Sequence, residues 1–502
     1  MSIMKISPEA MHETAHMFSI DNYHPLTAMF GRDETASGLG YTIYMVFENF
    51  EKRDMDIAKA VFDPHGHLEY ETLTKLVPAA AWFEREIKDM FGIIPKGHPD
   101  PRPLVLHENF PEGFFPLRKV VRKNQQERGT REYKMRTSDG EGLFEVPVGP
   151  IHAGIIEPGH FRFSQAGESM LQLDAKLFFT HRGIEKAVEG KTPDEALHIV
   201  ERICGACSVS NTWSFCQAVE KALDVKVPRR AEIIRTLLSE LERIVNHVGD
   251  IGNMPAGVGF NPAISLGGRL KEQTMRLCEA VAGNRFLRGV IVPGGVRQDI
   301  THELIVEIRE VLKKVRFGVA DMGIMFKEQD SFQNRVQTTG IVPKEVAVDL
   351  AMVGVGARAS GFAHDSRKDF DYGMYPELDF EVCTHKSGDV AARLLVRLEE
   401  LEVSFKLVDQ LLKLLENCED NTLKTDLAYN GPRESWGISE SPRGSNFHYV
   451  ALDNEGKIDR LFVRSASYAN WPAVPFAVTG NIIPDFPLIN KSFELCYACI
   501  DR

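Results

Sequence analysis

The sequence predicts an α+β protein: a small α/β N-terminal domain, then a large, mostly helical domain with a central helix bundle and β-rich peripheral segments. Three observations carry this. Tyr41 to Phe47 is an early run of β-branched and aromatic residues, which reads as a strand. After residue 192, apolar residues recur at i+3 and i+4 over several long segments, which reads as amphipathic helix. Arg460 to Arg502 is richer in β-formers, prolines and aromatics. A chain of 502 residues, 43% hydrophobic and 26% charged, exceeds one ordinary domain and can bury large cores.

Residues 1–117 form the first predicted domain. Ala60-Val-Phe-Asp-Pro-His-Gly-His67 is a strand running into a turn, and Pro78 to Phe91 carries Ala81, Phe83, Ile87 and Phe91 at near-helical spacing. Gly92 to Pro116 is a proline- and glycine-rich exit. Residues 118–142 read as a polar linker, and the run from Arg118 to Arg128 offers a basic surface to an acidic partner. Residues 143–502 form the second domain. Thr192-Pro-Asp-Glu195 has the residues of a capping box with proline in the first turn, and its helix runs toward Cys204. A second helix follows Pro228 with Ile233, Leu237, Leu241, Ile244 and Val248 on one face. A third carries Val390, Leu394, Leu398, Leu401, Phe405, Val408, Leu412 and Leu415. Three such stripes predict the bundle.

A net charge of −12 argues against a nucleic-acid surface. Met1 to Asp21 lacks the apolar stretch of a signal peptide, and no uncharged run approaches the ~20 residues of a membrane span. The expectation is a cytoplasmic protein, peripheral on the cytoplasmic face of the inner membrane through partner subunits. Of eight cysteines, Cys216, Cys278, Cys383 and Cys418 stand alone and read as buried thiols. The others form two pairs, Cys204-Gly-Ala-Cys207 and Cys496-Tyr-Ala-Cys499. Thiolates at this spacing favour soft or borderline metals. Three readings stay open on spacing alone: a structural zinc site, a redox C-x-x-C, and a binuclear catalytic centre joining the two ends of one domain. Zinc ribbons place their pairs within a few tens of residues; here most of the domain lies between them.

Arg202-Ile-Cys-Gly-Ala-Cys207 and Cys496-Tyr-Ala-Cys-Ile-Asp-Arg502 resemble the two metal-binding motifs of nickel–iron hydrogenase large subunits, the second in its energy-converting, formate-hydrogenlyase-like form. Trp82 to Gly92, followed by Gly97-His-Pro-Asp100, resembles the 30-kDa subunit of respiratory complex I. His181-Arg-Gly-Ile-Glu-Lys186 resembles a segment shared by these hydrogenases and the complex I 49-kDa subunit. Nearly the whole chain is covered. The resemblance implies Cys204 and Cys496 as terminal thiolates on nickel, Cys207 and Cys499 as bridges to iron, and carbon monoxide and cyanide on the iron. Glu440-Ser-Pro-Arg-Gly444 is similar to the family's E-A-P-R-G, which places Arg443 over the metals. Ile156-Glu-Pro-Gly-His-Phe-Arg162 is similar to I-E-G-H-L-R with a proline inserted, and implies Glu157 as first proton carrier. Glu185 is a candidate carboxylate either in the shell around the metal ligands or in a second metal site, and a magnesium or iron near the C-terminus is a further expected cofactor. Splitting dihydrogen needs a metal for the hydride and a base for the proton; the Cys496 thiolate is that base, with Glu157 next. No further cysteine cluster could carry electrons out, which implies an iron–sulfur small subunit, ferredoxin-like subunits and membrane subunits of a complex-I-like assembly as partners. The family cleaves a C-terminal extension after a His or Arg; Arg502 stands where the mature chain would end, unless the protein is made without an extension.

Three positions depart from the pattern. Asn211 stands where the family has a histidine that hydrogen-bonds a bridging cysteine, Glu494-Leu495 replaces Asp-Pro, and Ser441 replaces alanine. Arg358 reads as near the site or as a structural ion pair, and His160, His181 and His364 as satisfied structural histidines. Two competing functions remain: a complex-I-like quinone or redox-coupling subunit without nickel, and a metal-free relative of the hydrogenases. Complex I subunits lack both cysteine pairs, which favours the hydrogenase. The N-terminal domain carries no catalytic motif and reads as a docking unit.

Overall fold

The structure, a computed structural model, describes residues 3–123, 125, 127–152 and 157–502. Four strands, β1 (Ile3–Ile6), β2 (Leu26–Glu34), β3 (Gly40–Asn49) and β4 (Asp54–Phe62), form the N-terminal sheet in the order β1-β4-β3-β2, with β1 parallel to β4 and the others antiparallel. The Tyr41–Phe47 run is the buried heart of β3. Against β2 packs α1 (Ala80–Phe91), ended by Gly92 in the left-handed region at φ 71°, where a Cβ would strain the backbone. This helix buries charge as well as apolar surface. Glu84 accepts from the Leu73 N–H (2.7 Å) and two threonine hydroxyls, Arg85 donates to Arg102 O and Pro103 O, and Asp89 accepts from the Leu104, Val105 and Leu106 N–H groups. Glu84 and Arg85 organise the loops on either side of the helix, and Asp89 the one after it, which explains charged residues at buried positions.

Residues 118–142 form no regular element; Asn124 and Gln126 lie outside the described residues. The basic run does not stand free. Arg118 caps Phe91 O (Nε, 2.8 Å) and lies over the Tyr41 and Phe115 rings, and Lys119 pairs with Glu189 and Asp459. The expected acidic partner of this run is, at Lys119, the chain itself.

The second domain opens with a meander, β5 (Leu143–Val148), β6 (His160–Ala166) and β7 (Ser169–Lys176). Thr192 and Glu195 form both bonds of the capping box of α2 (Pro193–Val200). Next come α3 (Ser208–Leu223), α4 (Arg229–Asn253), α5 (Asn261–Ala282), α6 (His302–Glu328) and α7 (Val390–Glu416). The bundle is α4, α5, α6 and α7. Helix α2 stops before the cysteines and stays outside the bundle, and two helices beyond the three expected complete it: α5, and α6 with Ile305, Ile308, Leu312, Val315, Val319 and Met322 along its buried face. The α5 face that meets α4 includes Gly267, whose Cα would lie 2.7 Å from a Cβ on Gly252. Two glycines let these backbones touch, so contact there comes without large side chains.

The C-terminal sheet is a meander of β8 (Arg433–Ser441), β9 (Gly444–Leu452) and β10 (Ile458–Arg464), packed on α3. The β-rich segment therefore begins earlier than expected and ends at Arg464. Beyond it the chain is helical, with α8 (Phe486–Phe493) and α9 (Tyr497–Asp501) at the end. Pro472, Pro475, Pro484 and Pro487 sit in the first turns of short helices, where a missing N–H costs nothing.

Candidate metal centre

The two cysteine pairs meet. Sγ atoms of Cys204, Cys207, Cys496 and Cys499 lie within 4.8 Å of one another, with Cys496 the least buried. Local bonding shapes each turn. Cys207 is the N-cap of α3, Ala206 N–H points at Cys204 Sγ (3.3 Å), and Ser208 Oγ donates to Glu201 O and Cys204 O. Cys496 is the N-cap of α9, its N–H held by Ser467 Oγ (2.9 Å), and Ser465 Oγ donates to Cys499 O. Arg182 ties the turns together: Nη1 donates to Arg202 O, and Nη2 to Ile203 O (2.7 Å) and Ala498 O (2.9 Å). Its own N–H and that of Gly183 donate to Arg502 O. The His181-Arg-Gly segment is thus the latch on the second pair. Burial pushes His181 down to about 4, against its bond to Asp501 O.

Packed this closely, the thiols share protons. Contacts with the other three sulfurs lower Cys204 well below the usual thiol range, while the shared cluster and burial push Cys207 and Cys499 up. Four convergent, largely buried sulfurs are the donor set of a soft or borderline metal site, so the residues present fit a thiolate-bound metal group.

Arg443, in the turn between β8 and β9, is buried beside them. Its Nε donates to Glu494 O and its Nη2 to Asp250 Oδ1, both at 2.9 Å, while Nη1 has no partner among the described residues. Burial opposes its charge, but Asp250, Cys496 and Cys207 outweigh it and hold the guanidinium protonated. Nothing local in the sequence marks Asp250, on α4; its carboxylate is also held by Arg397 Nε (3.2 Å). Glu494 takes a left-handed conformation at φ 52°, and burial and Asp250 push its carboxyl up to about 7, with Asn253 donating to it at 2.8 Å. Asn211 donates to Cys207 O (2.8 Å), a backbone bond rather than one to sulfur, and its Oδ1 has no partner among the described residues.

From Asp250 a ladder of buried charge runs inward. His247 lies between Asp250 and Glu400 (2.8 Å), Glu400 accepts from Arg358 Nε (2.7 Å), and Arg358 Nη1 donates to Glu440 (2.8 Å) and to His364 O. His364 then meets Glu48 of β3. Arg358 is a structural ion pair, and His364 joins the two domains. His160 is satisfied by Gly149 O at 3.2 Å.

Glu157 is exposed, next to residues 153–156, which lie outside the described residues and include Ile156. Partial burial, then the fields of Cys496 and Asp501, push its carboxyl up. Glu185 is held by arginines of this chain. Its oxygens accept from Arg460 Nη1 (2.6 Å), Arg502 Nη1 (3.0 Å) and the Val463 N–H (3.1 Å). Two guanidiniums stand in the place expected for a magnesium or iron, because Arg502 and Arg460 converge on it from segments the sequence does not place together. Of the lone cysteines, Cys216 and Cys278 are buried, whereas Cys383 and Cys418 are only half-buried. Among the described residues no helix is long and apolar enough to cross a membrane.

Comparison with known proteins agrees with this geometry. The family "Nickel-dependent hydrogenase" matches residues 182–249, "Respiratory-chain NADH dehydrogenase, 49 Kd subunit" matches 258–435 and 422–502, and the 30 Kd subunit of the same enzyme matches 4–127. Formate hydrogenlyase subunit 5 of Escherichia coli is 33% identical over 485 residues, covering 95% of this chain and 84% of that one. The membrane-bound hydrogenase subunit alpha of Pyrococcus furiosus is 32% identical, over 71% of this chain and 87% of its own. A chain from the structure of the membrane-bound sulfane sulfur reductase, an archaeal respiratory membrane complex, superposes with a TM-score of 0.68 at 28% identity, over 72% of this chain and 99% of that one.

Proposed function

The chain belongs to the large subunits of the energy-converting, formate-hydrogenlyase-like nickel–iron hydrogenases, with a complex I 30-kDa-like N-terminal domain, and on that premise we propose that it interconverts dihydrogen with protons and electrons. The observation that carries this is the convergence of four thiols beside a buried guanidinium, that of Arg443, whose Nη1 has no partner among the described residues. In this reading Cys204, Cys207, Cys496 and Cys499 would together hold a nickel–iron group with carbon monoxide and cyanide on the iron, Cys204 and Cys496 on the nickel alone and Cys207 and Cys499 shared with the iron. Such a centre, when bound, supplies a redox-active Lewis acid that polarises dihydrogen.

The chain's own residues do the rest. Arg443 Nη1 is a fixed donor for an anionic ligand or for developing negative charge, and its fork is pre-aimed by Asp250 and the Glu494 carbonyl. Cys496 Sγ, on the least buried of the four residues, takes the proton. Glu157, whose carboxyl is raised partly by the Cys496 field, receives it next and passes it to solvent. The turns that carry the sulfurs are held shut by Arg182 and Ser208, which keeps water from the other three.

Electrons leave through an iron–sulfur small subunit and ferredoxin-like subunits, and membrane subunits of a complex-I-like assembly bring the complex to the inner face of the cytoplasmic membrane. The name of one relative, formate hydrogenlyase subunit 5, supports a formate-linked role, with hydrogen evolution as the working direction. A complex-I-like coupling subunit without nickel is the second reading, favoured by the 49 Kd match and by the sulfane sulfur reductase likeness. Metal analysis and infrared spectroscopy of the purified complex decide between them. Stoichiometric nickel with bands of bound carbon monoxide and cyanide supports the hydrogenase; matured protein with neither leaves the coupling subunit.

A further inference from the structure

Glu185 sits at the centre of a closed quartet of charge. Arg460 Nη1 reaches its Oε2 at 2.6 Å and Arg502 Nη1 its Oε1 at 3.0 Å, while Arg502 Nη2 reaches Oε2 of Glu86 at 2.6 Å. Arg502 also donates to Val463 O, and its guanidinium lies over the Tyr468 ring, 5.0 Å from the centroid. All four charged groups are buried. Two carboxylates and two guanidiniums cancel, so the cluster needs no further cation for neutrality. A magnesium ion requires about six oxygen ligands in an octahedron, and both Glu185 oxygens already accept N–H bonds. The residues therefore do not fit the second metal that the family resemblance implies.

Position gives the quartet a task. Arg502 follows α9, the helix that carries Cys499, and Glu185 follows the Arg182 latch. Glu86 belongs to α1, in the N-terminal domain. We propose that the Arg502 guanidinium is a built-in cation standing in for a divalent metal at Glu185, and that through Glu86 it makes the N-terminal domain a support of the Cys496–Cys499 pair. Arg502 is a positioning residue: it fixes the helix from which Cys499 projects. Removing its side chain leaves two carboxylates facing one another with a counter-charge on only one of them, an arrangement that either opens or recruits a cation.

The test uses the whole purified complex, dialysed against EDTA, with nickel, magnesium and manganese content measured and Mn2+ binding followed by electron paramagnetic resonance. Wild-type protein should hold no chelator-resistant magnesium or manganese and show no tight Mn2+ site. Arg502→Ala should lose half or more of its nickel and gain about one Mn2+ site per chain, and that site should vanish in the double variant with Glu185→Gln. Arg502→Lys, which keeps a cation, should retain nickel and bind no Mn2+. A chelator-resistant magnesium in the wild type that Glu185→Gln removes would overturn the proposal, and so would Arg502→Ala retaining full nickel without a Mn2+ site. The wild-type measurement stands even if a variant fails to fold. Absence of nickel from the wild type would sink the hydrogenase reading while the Mn2+ result still judged the quartet.

Discussion

Exchanging Arg443 for lysine keeps one positive charge and discards the fork. In the native site the guanidinium points three ways, to Glu494 O, to Asp250 and, through Nη1, to a position with no partner among the described residues. An ammonium on a flexible stem can keep the Asp250 contact, the strongest of the three because both partners are charged, but it cannot hold the other two directions at once. Asp250 stays paired with that ammonium and with Arg397, so no buried carboxylate is orphaned and nickel content should be unchanged. What disappears is a pre-aimed donor at the reacting atoms. Loss of one such donor costs about 3 kcal/mol of transition-state stabilisation, or roughly a hundredfold or more in turnover. The assay is dihydrogen uptake and evolution with an artificial electron carrier, normalised to nickel. Arg443→Lys protein with full nickel and wild-type turnover would refute the reasoning, because the unpartnered Nη1 would then be a packing accident.

Two further outcomes follow from the same geometry. Glu157→Gln should slow hydrogen–deuterium exchange and turnover by about 10²-fold while leaving the infrared bands in place; unchanged exchange would show that protons leave elsewhere. His364 is driven down by burial but raised more by Glu48, reaching about 9. A histidine raised in the folded state stabilises fully below its unfolded value near 6.5 and loses that contribution as pH rises through about 9, worth about 3 kcal/mol. The unfolding temperature should therefore fall between about pH 7 and 9, and Glu48→Gln should flatten that fall; an unaltered slope in Glu48→Gln would sink the assignment.

Much of the site is legible in the sequence because it is local. Each C-x-x-C turn, the Thr192 cap and the β3 run announce themselves within a few residues. Pairing across the chain is another matter. Asp250 looks like any acidic residue near a helix end, and only its meeting with Arg443 and Arg397 gives it meaning. Glu185 reads as a metal carboxylate because its neighbours in sequence say nothing of Arg460 and Arg502. Helix α5 shares its buried face between small residues, Ala263, Gly267 and Thr274, and larger ones, Leu270, Leu277 and Val281, and its close glycine contact with α4 shows only once the two helices lie side by side. The sheet at 433–464 is placed too late because the β-formers and aromatics beyond Arg464 suggest strands, whereas the prolines among them start short helices.

The two domains meet through charge as well as apolar surface: Arg32 with Glu434 and Asp459, Glu48 with His364, and Glu86 with Arg502. Such contacts discriminate well but reward association weakly, since each ion must first shed its water. Aromatic contacts, Phe30 with Phe462 and Trp82 with Tyr468, supply the apolar share of the seam. In one chain, encounter is unimolecular, at an effective concentration on the order of millimolar that no change in expression can lower. Fusion thus lets a partnership built for fidelity stay closed without becoming sticky, and it delivers one supporting domain with every set of cysteines.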